Sequence, residues 1–457
     1  MNHSIFTKKE CAHLLNMIPE DIYQEIAANE EKKTPEEIKK EIDKLKEKTD
    51  TWKDELRSEE KNIVNDLNEP NKIQELNADL QKTQGKVEEL SQEKKRTIET
   101  IDKLLEKSPK LEETTVIQVD VSEKNVNLKE GQSGYEIGYL AGSLKSEERE
   151  KDYLALSVPE GERVIYIGTS EDPNNILLKR DTSFSITNSS KVKSKKGDWV
   201  TKLTGWLLPK YTDSIKWAEN LETKAHEQYE AIRYYTGELG YRSINHYLRS
   251  SQTKLLSKEE LKNVLTAELN HLRYELEQKG KSENVIKEQL TQLEERLSKP
   301  GIDNTIHEID AAMRRFSLKE DITVYRNTGE QELNKKEDFL QTTLGLDFSP
   351  LENSKTYEEY ITKAIEIVKA NIGKTNTALG YTSTATQKNT VFNKRPIRLE
   401  IQVPKGTSAP YIDSISRFPN EKEVLLPRGS KFQITGASTV QEQGHNLLVI
   451  KAKLINS

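Results

Sequence analysis

Residues 421–434 read EKEVLLPRGSKFQI, and residues 173–186 read PNNILLKRDTSFSI. Leu425-Leu426 lines up with Leu177-Leu178, Arg428 with Arg180, and Phe432 and Ile434 with Phe184 and Ile186. Upstream, Val403-Pro404-Lys405-Gly406 is followed by Tyr411-Ile412, and Val158-Pro159-Glu160-Gly161 by Tyr166-Ile167 at the same offset. Self-similarity of this kind marks a repeated structural unit, so the chain carries two copies of one strand–loop–strand plan. The copies differ where chemistry would sit. Glu421 and Glu423 precede the second Leu-Leu pair, whereas Pro173 and Asn175 hold those places in the first. One copy reads as a working site and the other as a retired one.

Outward from these copies, the elements follow from periodicity and punctuation. Residues 31–107 are charge-rich with apolar residues near heptad spacing, including Ile38, Ile42, Leu45, Trp52 and Leu56. Thr34-Pro35-Glu36-Glu37 reads as an N-cap, a proline at the first helical position and a capping-box glutamate. Asn68-Glu69-Pro70-Asn71 interrupts the pattern, which predicts two long helices joined as a hairpin. Short β-like runs follow at Thr115–Val119, Leu154–Val158, Val164–Ile167 and Ser183–Ile186. The pattern turns helical over 217–249 and 256–298, with Pro300-Gly301 expected to end the latter. Strands and loops fill 320–457, with one helix near 356–371.

Composition narrows the class. The 457 residues suggest two to three domains. Charged residues make up 32% and hydrophobic ones 33%, but 17 Tyr, 8 Phe and 4 Trp argue against a disordered chain. A net charge of −6 argues against a nucleic-acid binder. Cys11 is the single cysteine, which excludes an internal disulfide, Cys-based zinc sites and haem attachment. The seven histidines form no His-Glu-x-x-His pattern, and no Gly-rich dinucleotide fingerprint is present. No apolar run approaches the ~18 residues of a membrane span, and the opening MNHSIFTKKE has no signal-peptide pattern.

Three blocks in the last third carry candidate chemistry. Val324-Tyr325-Arg326 ends an apolar run. Gly380-Tyr381-Thr382-Ser383-Thr384-Ala385 is a β-like segment. Glu421-Lys422-Glu423 puts two carboxylates two residues apart. In extended chain such residues point the same way, so both could face one pocket with Lys422 turned elsewhere. Like charges so close need a ligand hydroxyl, a cation or a proton between them.

Together and in this order, the blocks resemble the Arg–Ser–Glu class of bacterial mono-ADP-ribosyltransferase toxins. The resemblance extends from about residue 217 to the C-terminus. It takes in Tyr235 and Tyr241 within 234–245, Ile309-Asp310-Ala311-Ala312, and Gly429-Ser430-Lys431-Phe432. It implies NAD as substrate and no metal. Breaking the nicotinamide–ribose bond builds positive charge on the ribose, as in glycoside cleavage. By resemblance, Glu423 stabilises that charge, Ser383 fixes its rotamer, and Arg326 binds the NAD phosphates. Glu421 would contact the acceptor and help deprotonate it, a glutamate there going with arginine acceptors. Tyr235 and Tyr241 would flank NAD, and Phe392 would pack near the nicotinamide. Three positions depart from the family pattern: Ala385 where a serine is common, and Asn327 and Gly380 where actin-modifying relatives carry arginine and asparagine.

The two-copy layout is similar to the enzymatic components of binary toxins, in which a degenerate transferase domain docks on a pore-forming partner. Val116-Ile117-Gln118 followed by Tyr135-Glu136-Ile137-Gly138 resembles the protective-antigen-binding domain of anthrax lethal and edema factors. That domain joined to a transferase is the Certhrax-like layout. It implies Tyr135 and Ile137 as partner-binding residues.

The expected fold is α+β, with two transferase-like mixed β-sandwich domains carrying helices. The expected division is a helical hairpin region at 1–110, a degenerate docking domain at 111–212, and a catalytic domain at 213–457 with a helical insertion at 256–298. The implied function is a secreted toxin subunit, a monomer before assembly, that ADP-ribosylates an arginine of host actin or a vinculin-like cytoskeletal protein. It would enter through a protective-antigen-like pore and act in the host cytosol. The alternatives are an NAD glycohydrolase and a transferase-fold binding protein without transfer activity.

Overall fold

The computed structural model describes residues 34–69, 71–122, 124–144, 149–168, 174–208, 210–328, 339–388, 395–418, 421–442 and 445–455. Among them the chain divides into two compact units, one running through Ile215 and the other starting at Lys216. Each is a mixed β-sheet with helices, so the α+β expectation holds.

In the N-terminal unit, the stretch expected to form a two-helix hairpin is four helices: α1 (Pro35–Asp54), α2 (Ser58–Asp66), α3 (Lys72–Lys82) and α4 (Gln92–Leu105). Thr34 and Glu37 do form the capping box that starts α1. The break at Asn68–Asn71 is the expected one, with Asn71 in the left-handed region at φ 69. Of the two additional breaks, the one after α3 coincides with Gln84 and Gly85 at φ 52 and 81, and both follow the packing. Short helices can wrap around a sheet where one long helix would carry its stripe past it. Val64, Leu67, Ile73, Leu76, Leu80, Ile98, Ile101 and Leu104 all join one buried cluster, together with Tyr139, Ile165, Ile167 and Leu177 of the sheet region.

That unit holds β1 (Thr115–Asp120), β2 (Ser133–Glu136), β3 (Leu140–Ser143), β4 (Tyr153–Val158), β5 (Ile165–Tyr166), β6 (Asn175–Leu178), β7 (Thr182–Lys193) and β8 (Trp199–Leu208). Their order is β2-β7-β8-β4-β1-β3-β6-β5. The C-terminal unit holds β9 (Ile322–Thr328), β10 (Thr375–Thr377), β11 (Thr382–Ala385), β12 (Ile397–Val403), β13 (Glu423–Leu426), β14 (Lys431–Glu442) and β15 (His445–Ile455). Their order is β10-β14-β15-β12-β9-β11-β13. The two orders coincide strand for strand once the edge strand β5 is set aside. β4 runs parallel to β8 as β12 does to β15. A register shift at Ile186/Asn188 matches one at Ile434/Gly436. The sequence repeat is therefore a repeat of a whole topology.

The helices that follow are α5 (Thr212–Lys224), which spans the boundary between the units, and, in the second unit, α6 (His226–Thr236), α7 (Glu238–Arg249), α8 (Lys262–Gln278), α9 (Glu283–Glu295), α10 (Lys299–Arg314), α11 (Phe339–Leu344) and α12 (Tyr357–Lys369). The stretch expected as an insertion, 256–298, contains the two helices α8 and α9, largely exposed. Pro300-Gly301 starts a helix instead of ending one. Ser298 caps α10 by accepting the Gly301 N–H, and a proline in the first turn has no N–H to lose.

One polar clamp occurs in both units. The Tyr381 hydroxyl donates to Asp310 Oδ1 at 2.6 Å and to the Ile306 carbonyl at 3.3 Å. Arg428 donates to Asp310 Oδ2 at 3.0 and 2.6 Å. In the first unit Tyr139 donates to Asp102 at 2.9 Å and to the Ile98 carbonyl at 3.1 Å, and Arg180 Nε donates to Asp102 Oδ2 at 3.0 Å. The clamp ties a helix to the segments flanking two strands and is also present in the copy without the carboxylate pair. It serves the fold.

Candidate active site

Three strands bring the sequence blocks together. β11 lies between β9 and β13, pairing Ala385 with Tyr325 on one side and with Glu423 on the other. Ser383 and Glu423 thereby become neighbours, and the Ser383 side chain is hydrogen-bonded to the Glu423 carboxylate. Arg326 reaches across from β9. Its Nη1 donates to the Ser383 carbonyl at 2.6 Å and its Nη2 to the Tyr241 hydroxyl at 3.1 Å. So Arg326, Ser383, Glu423 and Tyr241 form one connected group.

Glu421 joins it by an unexpected route. Simple alternation does not hold, because Lys422 sits at φ 54, in the left-handed region. That single residue turns the chain just before β13. Its Nζ donates to Gln387 Oε1 at 2.7 Å, so it does point away from the carboxylates as expected. Glu421 keeps part of its surface open to solvent but is crowded by protein and by Glu423 and Asp413. Loss of hydration, then those two negative neighbours, push its pKa up to about 8, against the pull of Arg326. Glu423 is only 5% exposed. Burial raises its pKa to about 7, the Ser383 hydrogen bond and Arg326 pulling it down and Asp413 pushing it up.

The helices supply an aromatic and cationic wall. Tyr235, fully buried at the end of α6, lies edge-on to Tyr241 at 5.9 Å and to Tyr381 at 5.3 Å. Burial raises the Tyr235 pKa well above its ordinary value, with Tyr241 and Glu423 adding to the shift. The Arg326 guanidinium lies 4.3 Å from the Phe339 ring centroid, and that of Arg249 lies 5.3 Å from the same ring. Arg249 is 6% exposed, and its Nη1 has no hydrogen-bond partner among the described residues. Asn245 donates to the Tyr235 hydroxyl at 3.0 Å, while its own Oδ1 is left without a partner among the described residues. Two guanidiniums on one ring, one with an unspent buried donor, are arranged to take an anion with several oxygens.

Asn245, Arg249, Phe339 and Asp413 were not singled out from the sequence. The signal for the first two was present: Tyr241, Asn245 and Arg249 follow each other at i, i+4 and i+8 on one face of α7. Gly380 is explained by this face. A Cβ there would meet Asn245 Oδ1 at 2.6 Å. Asn327 is committed to structure, donating to the Lys388 carbonyl at 3.1 Å and accepting from Arg398 at 3.3 Å. Ala385 is buried between its two strand partners. Phe392 lies outside the described residues.

The same registers show what the first copy lacks. Ala141 faces Leu177 as Ser383 faces Leu425, and Ser143 faces Gln118 as Ala385 faces Tyr325. Val119, Ala141 and Asn175 therefore stand where Arg326, Ser383 and Glu423 stand. Of the two residues expected at a partner interface, Tyr135 lies in β2 with the Lys124 ammonium 3.6 Å from its ring centroid, and Ile137 packs against the helical cluster. A cleft of about 830 Å³ in this unit, lined by Lys44, Lys48, Trp52 and Glu112, has both lysines paired with Glu112 and none of the chemistry above. No cluster of three or more metal-ligating side chains occurs among the described residues, and none of their helices is long and apolar enough to cross a membrane.

The site thus combines a carboxylate pair beside a serine with two guanidiniums on one phenyl ring, on the second copy of a duplicated mixed sheet. The chain belongs to the ADP-ribosyltransferase exoenzymes, matching that family over residues 45–208 and 210–457. It is 32% identical over 136 residues to a mono-ADP-ribosyltransferase C3 of Hathewaya limosa, covering 29% of this chain and 49% of that protein. It is 26% identical over 131 residues to the epidermal cell differentiation inhibitor of Staphylococcus aureus, covering 28% of this chain and 51% of that protein. The chain thus spans about half the length of the curated relatives it matches. Among solved structures, Plx2a, an ADP-ribosyltransferase toxin from Paenibacillus larvae, is 25% identical over 53% of this chain and 96% of that one, with a TM-score of 0.36. BECa, the ADP-ribosylating toxin of a C. perfringens binary enterotoxin, solved with NADH, is 19% identical over 92% and 97%, with a TM-score of 0.35.

Proposed function

We propose that this protein is the enzymatic subunit of a secreted toxin that transfers ADP-ribose from NAD to an arginine of a host cytoskeletal protein, actin or a vinculin-like one. Delivery by a protective-antigen-like pore, with the first unit as the docking copy, completes the reading. The carrying observation is the Ser383–Glu423 hydrogen bond with Glu421 alongside and two guanidiniums against Phe339.

In this reading Arg326 and Arg249 hold the diphosphate, Arg249 spending its unused buried donor there. Tyr235 and Tyr241 wall the dinucleotide. Glu423, held by Ser383, faces the ribose as positive charge develops during loss of nicotinamide. Burial has left that carboxylate poorly hydrated, so it gains most when the positive charge appears. Glu421 takes the proton from the arginine acceptor, its pKa of about 8 suiting a base that works near neutrality. Exposed Phe418 lies shortly before Glu421, and Arg417 is ion-paired with Glu268 of α8. The α8–α9 hairpin therefore belongs to the surface the acceptor meets.

Label transfer from NAD in a host-cell lysate, beside purified actin, tests the proposal. A labelled band with wild type, lost in Glu423→Gln and Glu421→Gln, is the expected result and names the target. NAD consumption with no labelled band replaces the reading with glycohydrolase. Absence of NAD turnover removes the enzyme reading and leaves a binding protein.

A further inference from the structure

We propose that Asp413 is a positioning residue that holds the turn between Glu421 and Glu423 in the shape acceptor transfer requires. The inference rests on the transferase reading above and concerns how its two glutamates are set. Lys422 lies between them at φ 54, a conformation that a side chain with a Cβ disfavours. The turn is pinned at three atoms of that residue. Its N–H donates to Asp413 Oδ1 at 2.8 Å, its carbonyl accepts from the Thr386 N–H at 3.0 Å, and its Nζ donates to Gln387 at 2.7 Å. Asp413 is the side-chain anchor of the backbone itself. It is 1% exposed, and its Oδ2 accepts from the Tyr411 hydroxyl at 3.2 Å. The Ile412 N–H, next door, donates to the Glu423 carbonyl at 2.9 Å. Asp413 thus joins the Tyr411-Ile412 segment to the glutamate turn from inside the protein.

The retired copy separates this role from a role in folding. There the Ile167 N–H donates to the Asn175 carbonyl at 2.9 Å, just as Ile412 donates to Glu423. Tyr166 and Ile167 thus occupy the places of Tyr411 and Ile412, and the next residue, in the place of Asp413, is Gly168. The clamp residues Tyr139, Asp102 and Arg180 persist in that copy. Asp413 has gone with the glutamates, with Ser383 and with Arg326. A group kept only where the carboxylate pair is kept acts on that pair.

Asp413 also acts through charge. Glu421 is faced by Glu423, Asp413 and Arg326. Glu423 is faced by Asp413, Arg326 and Ser383, with Tyr235 nearby from α6. Lys422 stands between the glutamates and is itself buried. A buried aspartate among these groups makes both glutamates harder to ionise.

The test uses the full chain with Asp413→Ala and Asp413→Asn, assayed for NAD hydrolysis and for ADP-ribose transfer to agmatine, a small guanidine. Asp413→Ala should keep the NAD KM within about threefold of wild type and lower transfer relative to hydrolysis by tenfold or more. Asp413→Asn keeps an oxygen for the Lys422 N–H and should restore that ratio. Its acidic limb should move to lower pH, because one negative neighbour is gone. Thermal melts accompany both, and if the alanine variant fails to fold, the asparagine variant carries the test through its pH limb. A wild-type ratio with a wild-type pH limb overturns the proposal. So does a parallel loss of NAD affinity, hydrolysis and transfer, which is what a purely structural aspartate would produce. Wild-type protein that does not turn over NAD overturns the functional reading first, so the two failures are distinguishable.

Discussion

Glu423→Gln should abolish transfer and at the same time stabilise the ligand-free protein. Glu423 is 5% exposed and has its pKa raised from 4.5 to about 7, chiefly by burial. A shift of that size corresponds to about 3 kcal/mol of native-state destabilisation once the group is ionised. The sign follows from the direction. The folded protein prefers the protonated form, so the contribution is fully favourable below about pH 4.5 and is lost as pH rises through 7. Glutamine is neutral throughout, and its amide oxygen still accepts from Ser383. The two proteins should therefore melt together near pH 4, diverge between 4.5 and 7, and differ by about 6–12 °C above that for a unit of this size. Calorimetric melts at half-unit pH steps measure it. A variant that melts at or below wild type at pH 8, with no gap opening between pH 4.5 and 7, would falsify the claim that Glu423 is a strained, desolvated charge.

Arg249→Gln should raise the NAD KM by about 10–100-fold, the value of one to two charge-assisted hydrogen bonds, without lowering the Tm; equilibrium NAD binding and melts read both. Gly380→Ala places a Cβ 2.6 Å from Asn245 Oδ1, so it should cost about 1–3 kcal/mol and weaken NAD binding through the displaced Asn245–Tyr235 pair. Asp102→Ala and Asp310→Ala each remove the carboxylate shared by a buried tyrosine and a partly exposed arginine, costing about 1–3 kcal/mol. Denaturant titration should show both losses, while residual transfer activity at low temperature should fall only for Asp310→Ala.

Much of the candidate site in the C-terminal unit was legible because its residues are written in short local blocks. Arg326, Ser383 and Glu423 stand on three neighbouring strands, and extended chain carries side chains to predictable faces. Glu421 and Glu423 do come close together, as expected, but not through the regular alternation expected for them. The backbone is not a regular strand there: the left-handed Lys422 is held by Asp413, eight residues upstream of Glu421, which no local pattern reveals. Near-heptad spacing in 31–107 was read as length. A stripe of apolar residues specifies which face is buried and says little about where helices break, because the breaks depend on what the stripe packs against. Arg249 and Asn245 looked like ordinary helix residues. Their place beside the candidate site emerges only when α7 is laid against Phe339 and Gly380.

The duplication, the α+β class, the loss of carboxylates in one copy and the arginine, serine and glutamate blocks are all properties of residue order. They could be read because repeats, alternation and turn residues act over a few positions. The strand order, the clamp of Tyr381, Asp310 and Arg428, the paired guanidiniums and the raised carboxyl pKa values exist only once distant segments pack. Each depends on the removal of water from groups that are far apart in the chain, and desolvation is a property of the folded neighbourhood, not of any residue taken alone.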